Sequence, residues 1–131
     1  MEPQMNAEQR RLNEITEKVI GCSFKVGTGL GCGFVEKVYE NALAHELRKA
    51  GLKTQRQKRI VIRYDGVVVG DYSADLLVEE SVLVELKAVK AFDDTHLAQC
   101  LNYLKAIRLK ICLLINFGLP AVKVKRIVNE F

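Results

Sequence analysis

The sequence predicts an α/β protein, with helices flanking a central mixed sheet in the order α-α-β-β-β-α-β-β. Three observations carry this. Apolar residues recur at helical spacing in two segments before Gly51. From Thr54 the pattern changes to β-rich runs punctuated by turn residues. One amphipathic segment then separates two further strand-like runs, a strand-helix-strand passage expected to join parallel neighbours by a right-handed crossover.

Leu12, Ile15, Val19, Cys22 and Val26 mark the apolar face of a first helix. Asn6 with Gln9 three positions later has the form of a capping box, so the helix is expected from Ala7 to Lys25, ending at glycines. "GTGLGCG", Gly27 to Gly33, leads into a second helix with Phe34, Val38, Leu43 and Leu47 on its buried side and Gly51 as its stop. This glycine run follows a helix and lacks both G-x-G-x-x-G spacing and a terminal Gly-Lys-Ser/Thr, so it reads as a turn and not as a phosphate cradle.

"RIVIRY" and "VVVGDYSADLLV" are strands joined by Asp65-Gly66, a type I′ hairpin signal. Glu79, Glu80 and Ser81 turn the chain into "VLVELKAV", the third strand. "DDTHLAQCLNYLKAIRL" is a capped amphipathic helix. "ICLLINF" suits a strand covered on both faces, and "VKVKRIV" alternates as an edge strand that could pair between subunits, although Lys123 and Lys125 are also the usual protection against such pairing.

The chain of 131 residues, 49% hydrophobic and 27% charged, fits one packed domain over 1–131. Its amino terminus lacks the continuous apolar core of a signal peptide and no apolar run approaches bilayer length, so a soluble, cytoplasmic protein without a membrane partner is expected. Cys22, Cys32, Cys100 and Cys112 form no C-x-x-C pair, which argues against a zinc knuckle or redox motif. A net charge of +4 permits an anionic partner without requiring one. Basic residues gather at Lys53 to Arg63, at Lys105, Arg108 and Lys110, and at Lys123 to Arg126.

Three charged residues interrupt the hairpin "SADLLVEESVLVELKAV". With Val78 paired to Val82, an antiparallel register sets Asp75 opposite Glu85. Alternation adds Lys87 to their face and leaves Ala74, Leu76, Val84 and Leu86 on the other. Two such carboxylates repel, and the arrangement calls for a compensating cation, either Lys87 or a divalent metal such as Mg²⁺. The bland alternative is a cross-strand salt-bridge cluster on a solvated face. Glu36 opens the second helix, where the helix dipole alone accounts for an acid. On the third helix Gln99 and Tyr103 share a face, with His96 one turn earlier.

Asp75 followed by Glu85-Leu86-Lys87 resembles the active-site signature of the PD-(D/E)XK nuclease superfamily, with Ala74 in place of the signature's proline. Gly33-Phe34-Val35-Glu36-Lys37-Val38-Tyr39 resembles the pattern that names the GxxExxY protein family, and the likeness continues through "YENALAHELRKAGL", "VELKAV" and "HLAQCLNYLKA". The resemblance implies a restriction-endonuclease-like core. It implies that Asp75, Glu85 and the main-chain carbonyl of Leu86 are metal ligands and that Lys87 is the catalytic lysine. Glu36 would be the acid supplied from an early helix, and Gln99 with Tyr103 the Gln-x-x-x-Tyr motif of an exonuclease-like branch. His96 is a candidate substrate contact only through its place one turn before Gln99, and a partly buried or surface histidine is the bland alternative.

The implied activity is Mg²⁺-dependent hydrolysis of nucleic-acid phosphodiesters, with DNA the expected substrate and Mn²⁺ a substitute cofactor. A structure-selective or end-directed enzyme in repair, recombination or defence suits the size, acting as a homodimer or with a protein partner. Two alternatives stay open: a binding or regulatory module that keeps the fold without cutting, and a phosphodiesterase acting on a small substrate.

Overall fold

The computed structural model describes residues 6–130. Eight elements follow in the expected order: α1 (Ala7–Leu30), α2 (Glu36–Lys49), β1 (Thr54–Tyr64), β2 (Val67–Val78), β3 (Val82–Lys87), α3 (Asp94–Ile107), β4 (Ile111–Asn116) and β5 (Lys123–Val128). The strands form one five-stranded sheet in sequence order, antiparallel throughout except for the parallel β3–β4 pair that brackets α3. None of the described helices is long and apolar enough to cross a membrane. Met1 to Met5 of the segment read for a signal peptide lie outside the described residues.

Each face of the sheet has its own core. Leu76, Val78, Val84, Leu86, Leu113 and Ile115 pack beneath α1 and α2. Ile60, Ala74, Leu77, Leu83, Cys112 and Leu114 pack beneath α3. β4 is buried at every position, as a central strand covered on both sides requires.

The capping box of Asn6 and Gln9 starts α1 as expected. The helix does not stop at Lys25: it continues through Gly27 and Gly29 to Leu30. Gly27 is there for space, because a Cβ at that position would stand 2.2 Å from Cγ2 of Val122. Helix and sheet approach too closely for any side chain. The turn proper is confined to 31–35, where Gly31 (φ 72°) and Gly33 (φ 113°) adopt backbone angles that other residues rarely tolerate.

Tyr39 holds that turn. It is fully buried, its ring stacks on Phe117 at 4.7 Å, and its hydroxyl donates to the Gly31 carbonyl (2.7 Å) while accepting from the Phe34 amide (3.2 Å). Phe34 itself is exposed, against expectation, because the turn leaves it one residue ahead of the N-cap Val35. The buried stripe of α2 is Tyr39, Glu40, Leu43, Ala44 and Leu47.

Asp65 and Gly66 form the hairpin turn with φ of 52° and 75°. Glu79 and Glu80 make the second turn, also left-handed at both positions, and the β2–β3 register pairs Val78 with Val82. β3 ends at Lys87, two residues earlier than read. Beyond it the side chain of Asn116 takes over, donating to the Val89 carbonyl (2.8 Å) and accepting from the Val89 amide (3.1 Å) and the Gly118 amide (2.8 Å).

Candidate active site

The β2–β3 ladder runs from Val78↔Val82 to Leu76↔Val84. One residue further, the carboxylates of Asp75 and Glu85 replace the backbone pairing. The Asp75 amide donates to Oε1 of Glu85 (2.9 Å), and the Leu86 amide donates to Oδ2 of Asp75 (2.8 Å). The strands are thereby held apart by their own acidic side chains. A residue's amide and carbonyl point to the same side of a strand, so the Leu86 carbonyl opens onto the same gap as its amide.

The expectation that Asp75, Glu85 and Lys87 share one polar face is corrected. Ala74 packs with Leu77 and Leu83 under α3, not with Leu76, Val84 and Leu86 under α1 and α2. Side-chain alternation slips between Ala74 and Leu77, which turns Asp75 and Leu76 both toward α2. The slip has a partner on β1. Gln57 has φ 51°, and it reaches the same carboxylate, that of Glu40, as its neighbour Arg56. Asp75 therefore enters the gap from the α2 side. Glu85, next to Leu83 in alternation, enters from the α3 side. The two carboxylates thus lie on opposite sides of the sheet with Glu85 buried, which removes the reading of a salt-bridge cluster on one solvated face.

Glu85 is 6% exposed, and burial followed by the charge of Asp75 pushes its carboxyl up to about 8. Burial also raises Asp75; the Leu86 amide works against this, while Glu40 and Glu36 add to it. Lys87 is half-buried and lowers Glu85 by its charge, without a direct ion pair among the described residues.

A cleft of about 250 Å³ opens on the α2 side, lined by Glu36, Lys37, Glu40, Gln57, Asp75 and Leu86. Glu36 is the first residue of α2, where the unsatisfied amides of the helix start favour an acid. Glu40, one turn on, is 3% exposed and was not foreseen. Arg56 donates to its Oε2 through Nε (2.9 Å) and Nη2 (2.6 Å), Lys37 through Nζ (3.1 Å), and Gln57 to Oε1 (2.5 Å). Burial acts to raise the Glu40 carboxyl, but the bonds and charges of Arg56 and Lys37 overturn that and hold it below its ordinary value. Gln57 also reaches Oδ1 of Asp75 at 3.5 Å and accepts from the Ser73 hydroxyl (2.9 Å), so it ties the clamp to the acidic pair. The legible signal was the Glu36–Glu40 spacing of four, which puts both acids on one helix face.

On the opposite face Nε2 of Gln99 donates to the Tyr103 hydroxyl (2.9 Å). Burial, followed by the charge of Glu85, pushes that hydroxyl up to about 12. The Gln99–Tyr103 pair thus stands behind the acidic gap. His96 belongs to the start of α3: its Nδ1 accepts from the Asp93 amide (3.3 Å) and its own amide donates to Oδ1 of Asp93 (3.0 Å), completing a capping box.

The donor set fits a divalent cation. Asp75 and Glu85 converge with one oxygen each committed across the strands, and both carboxyls sit above their ordinary values, the condition of paired acids lacking a countercharge. No group of three or more His, Cys, Asp or Glu side chains is preassembled for a metal among the described residues, so the Leu86 carbonyl would be needed beside the two acids.

A mixed sheet that splits at an Asp…Glu-x-Lys pair, with an acidic helix start over the gap, defines a nuclease-type α/β protein. The sequence matches the PD-(D/E)XK nuclease superfamily over residues 13–127, and the chain belongs to that superfamily. Its members generally depend on a divalent metal. Two solved structures share the fold. SSO0001 superimposes with a TM-score of 0.56 at 17% identity, covering 72% of this chain and 50% of that one. The alkaline exonuclease LHK-Exo from Laribacter hongkongensis gives a TM-score of 0.54 at 15% identity, with 72% and 56% covered. The match thus spans about half of each of those chains. No curated protein matches in sequence.

Proposed function

We propose that this chain is a metal-dependent nuclease that hydrolyses DNA phosphodiester bonds, and that it is a GxxExxY-type member of its superfamily. The observation that carries the proposal is the split between β2 and β3, where Asp75, Glu85 and the Leu86 carbonyl converge beside Lys87. The subfamily reading is supported by the work each motif residue does: Gly33 takes a positive φ, Glu36 opens α2 over the cleft, and Tyr39 pins the turn between them. The reading takes 1–131 as one domain acting in the cytoplasm.

A bound Mg²⁺ or Mn²⁺ would supply the Lewis acidity that lowers the pKa of a water nucleophile and offsets charge on the scissile phosphate. Asp75, Glu85 and the Leu86 carbonyl would hold it. Lys87 would offset the charge that builds on the phosphate oxygens. Glu36 would accept a hydrogen bond from the attacking water. Gln57 fixes the rotamer of Asp75, and the Arg56 and Lys37 bonds keep Glu40 anionic beneath it. Tyr103 and Gln99 would contact phosphate from the α3 side.

A second reading, a non-catalytic module that binds DNA or a protein, is favoured by the near-complete burial of Glu85. Labelled single-stranded, duplex, flapped and four-way-junction DNA, and RNA, incubated with Mg²⁺, Mn²⁺ or EDTA, separate the two. Metal-dependent cutting lost in Lys87→Ala supports the nuclease. Failure to cut any substrate, with no metal binding in calorimetry, leaves the module.

A further inference from the structure

On the α3 face an open feature extends well beyond Gln99 and Tyr103. A groove of about 880 Å³ runs between the β1–β2 hairpin and α3. Its lining includes Arg63, Lys105 and Arg108 and no aspartate or glutamate. Its floor is apolar and aromatic, built from Ile62, Val69 and Tyr72. Tyr72 is 50% exposed, although its ring lies 5.7 Å from that of the nearly buried Tyr103. Tyr103 backs one side of the ring and leaves the rest of it to the groove. Gly70 keeps the floor open, since a Cβ there would stand 2.9 Å from the Tyr72 ring and 3.4 Å from Ile62.

We infer that this groove is a path for one strand of DNA, with Tyr72 as a platform on which a base stacks and Arg63, Lys105 and Arg108 as phosphate contacts. The inference rests on the nuclease reading for its substrate class and adds strand selectivity to it. A duplex turns its phosphates outward and keeps its bases stacked inside, so an aromatic floor gains nothing from it. A single strand presents base faces and phosphates together, which is what a cationic rim over an aromatic floor can use. Tyr103 joins the groove to the gap, because the same side chain lines one and feels the charge of Glu85 in the other.

The test is fluorescence anisotropy of a labelled oligothymidylate, and of a duplex of equal length, titrated with the full chain in EDTA so that nothing is cut. Tyr72→Ala is a surface change and should weaken single-strand binding about 5- to 100-fold while leaving duplex binding unchanged. Arg63→Gln with Lys105→Gln should reduce the slope of log affinity against log salt by about 1.4 for the single strand. Equal affinity of wild type and Tyr72→Ala for the single strand overturns the inference. So does self-association in sedimentation that Tyr72→Ala abolishes while oligonucleotide binding persists. Failure of the groove and failure of the nuclease reading are separable: loss of binding in Tyr72→Ala without any metal-dependent cutting by wild type keeps the former. Cutting that needs Lys87, with binding indifferent to Tyr72, keeps the latter.

Discussion

The amide of Asp75 donates to the carboxylate of Glu85 at 2.9 Å, a bond that stands where a backbone ladder bond would otherwise close the sheet. The same bond makes Glu85 part of the fold and part of the site. Its side chain cannot leave without freeing a buried amide, and it cannot ionise without facing Asp75.

Stability should therefore depend on pH in a direction set by Glu85. Its folded carboxyl is raised to about 8 from 4.5, so the folded state binds the extra proton between those values. Stability is full below about 4.5 and declines as pH rises toward 8. Glu85→Gln keeps an oxygen acceptor for the Asp75 amide and removes the charge. In metal-free buffer at pH 8 it should melt at least about 3 °C above wild type, and the difference should vanish near pH 5. Parallel melting profiles across that range would disprove the assignment.

A divalent cation should reverse the same penalty. Mg²⁺ or Mn²⁺ at about 100 times its Kd should stabilise the protein by about 2.7 kcal/mol through mass action. The gain should be larger at pH 8 than at pH 6, because binding at lower pH must first displace a proton from Glu85. Asp75→Asn should abolish the shift without unfolding the chain, since its side-chain oxygen can still accept from Leu86. A metal-induced shift that survives this substitution would move the metal elsewhere.

The fold was legible because patterning and turn chemistry agree along most of the chain. Asn6 and Gln9, Asp65-Gly66, Gly51 and the uninterrupted apolar run of β4 each state locally what the whole adopts. Two things were not legible. Strict alternation put Asp75 and Glu85 on one face, and no pattern of two announces the slip at Asp75 that Gln57 makes possible with φ 51°. The Glu40 clamp was hidden because a buried acid reads as a surface residue until its partners are brought in by β1. Gly27 is the complementary case: helix propensity says stop, and close approach of Val122 supplies a reason to continue.

Arg56 is expected to matter for stability through Glu40. Its removal leaves a carboxylate that is 3% exposed with only Lys37 and Gln57 as partners. Arg56 is itself about one-third exposed, so the cost should fall below that of a fully buried pair, at about 2 kcal/mol. Adding Glu40→Gln should recover part of the loss. Because the Glu40 carboxyl is held low, its contribution is present above the ordinary glutamate range and is lost as pH falls through the depressed value. Urea titrations of the two variants check this; a loss under about 0.5 kcal/mol for Arg56→Ala would show that the clamp is not structural.

Gly27 and Gly29, both inside α1, should respond in opposite directions to the same substitution. Alanine exceeds glycine in helix propensity by about 1 kcal/mol, and nothing lies within 4 Å of a Cβ built at Gly29. Gly29→Ala should therefore stabilise by up to that amount. At Gly27 the same methyl group would stand 2.2 Å from Cγ2 of Val122, a stiff branch close to the backbone, so helix and sheet must separate. Gly27→Ala should destabilise by about 1–3 kcal/mol in spite of its propensity. Val122→Ala should relieve the clash, making the double variant more stable than the sum of the two single changes predicts. Additive single and double variants would mean that the contact of α1 with Val122 does not set the helix position.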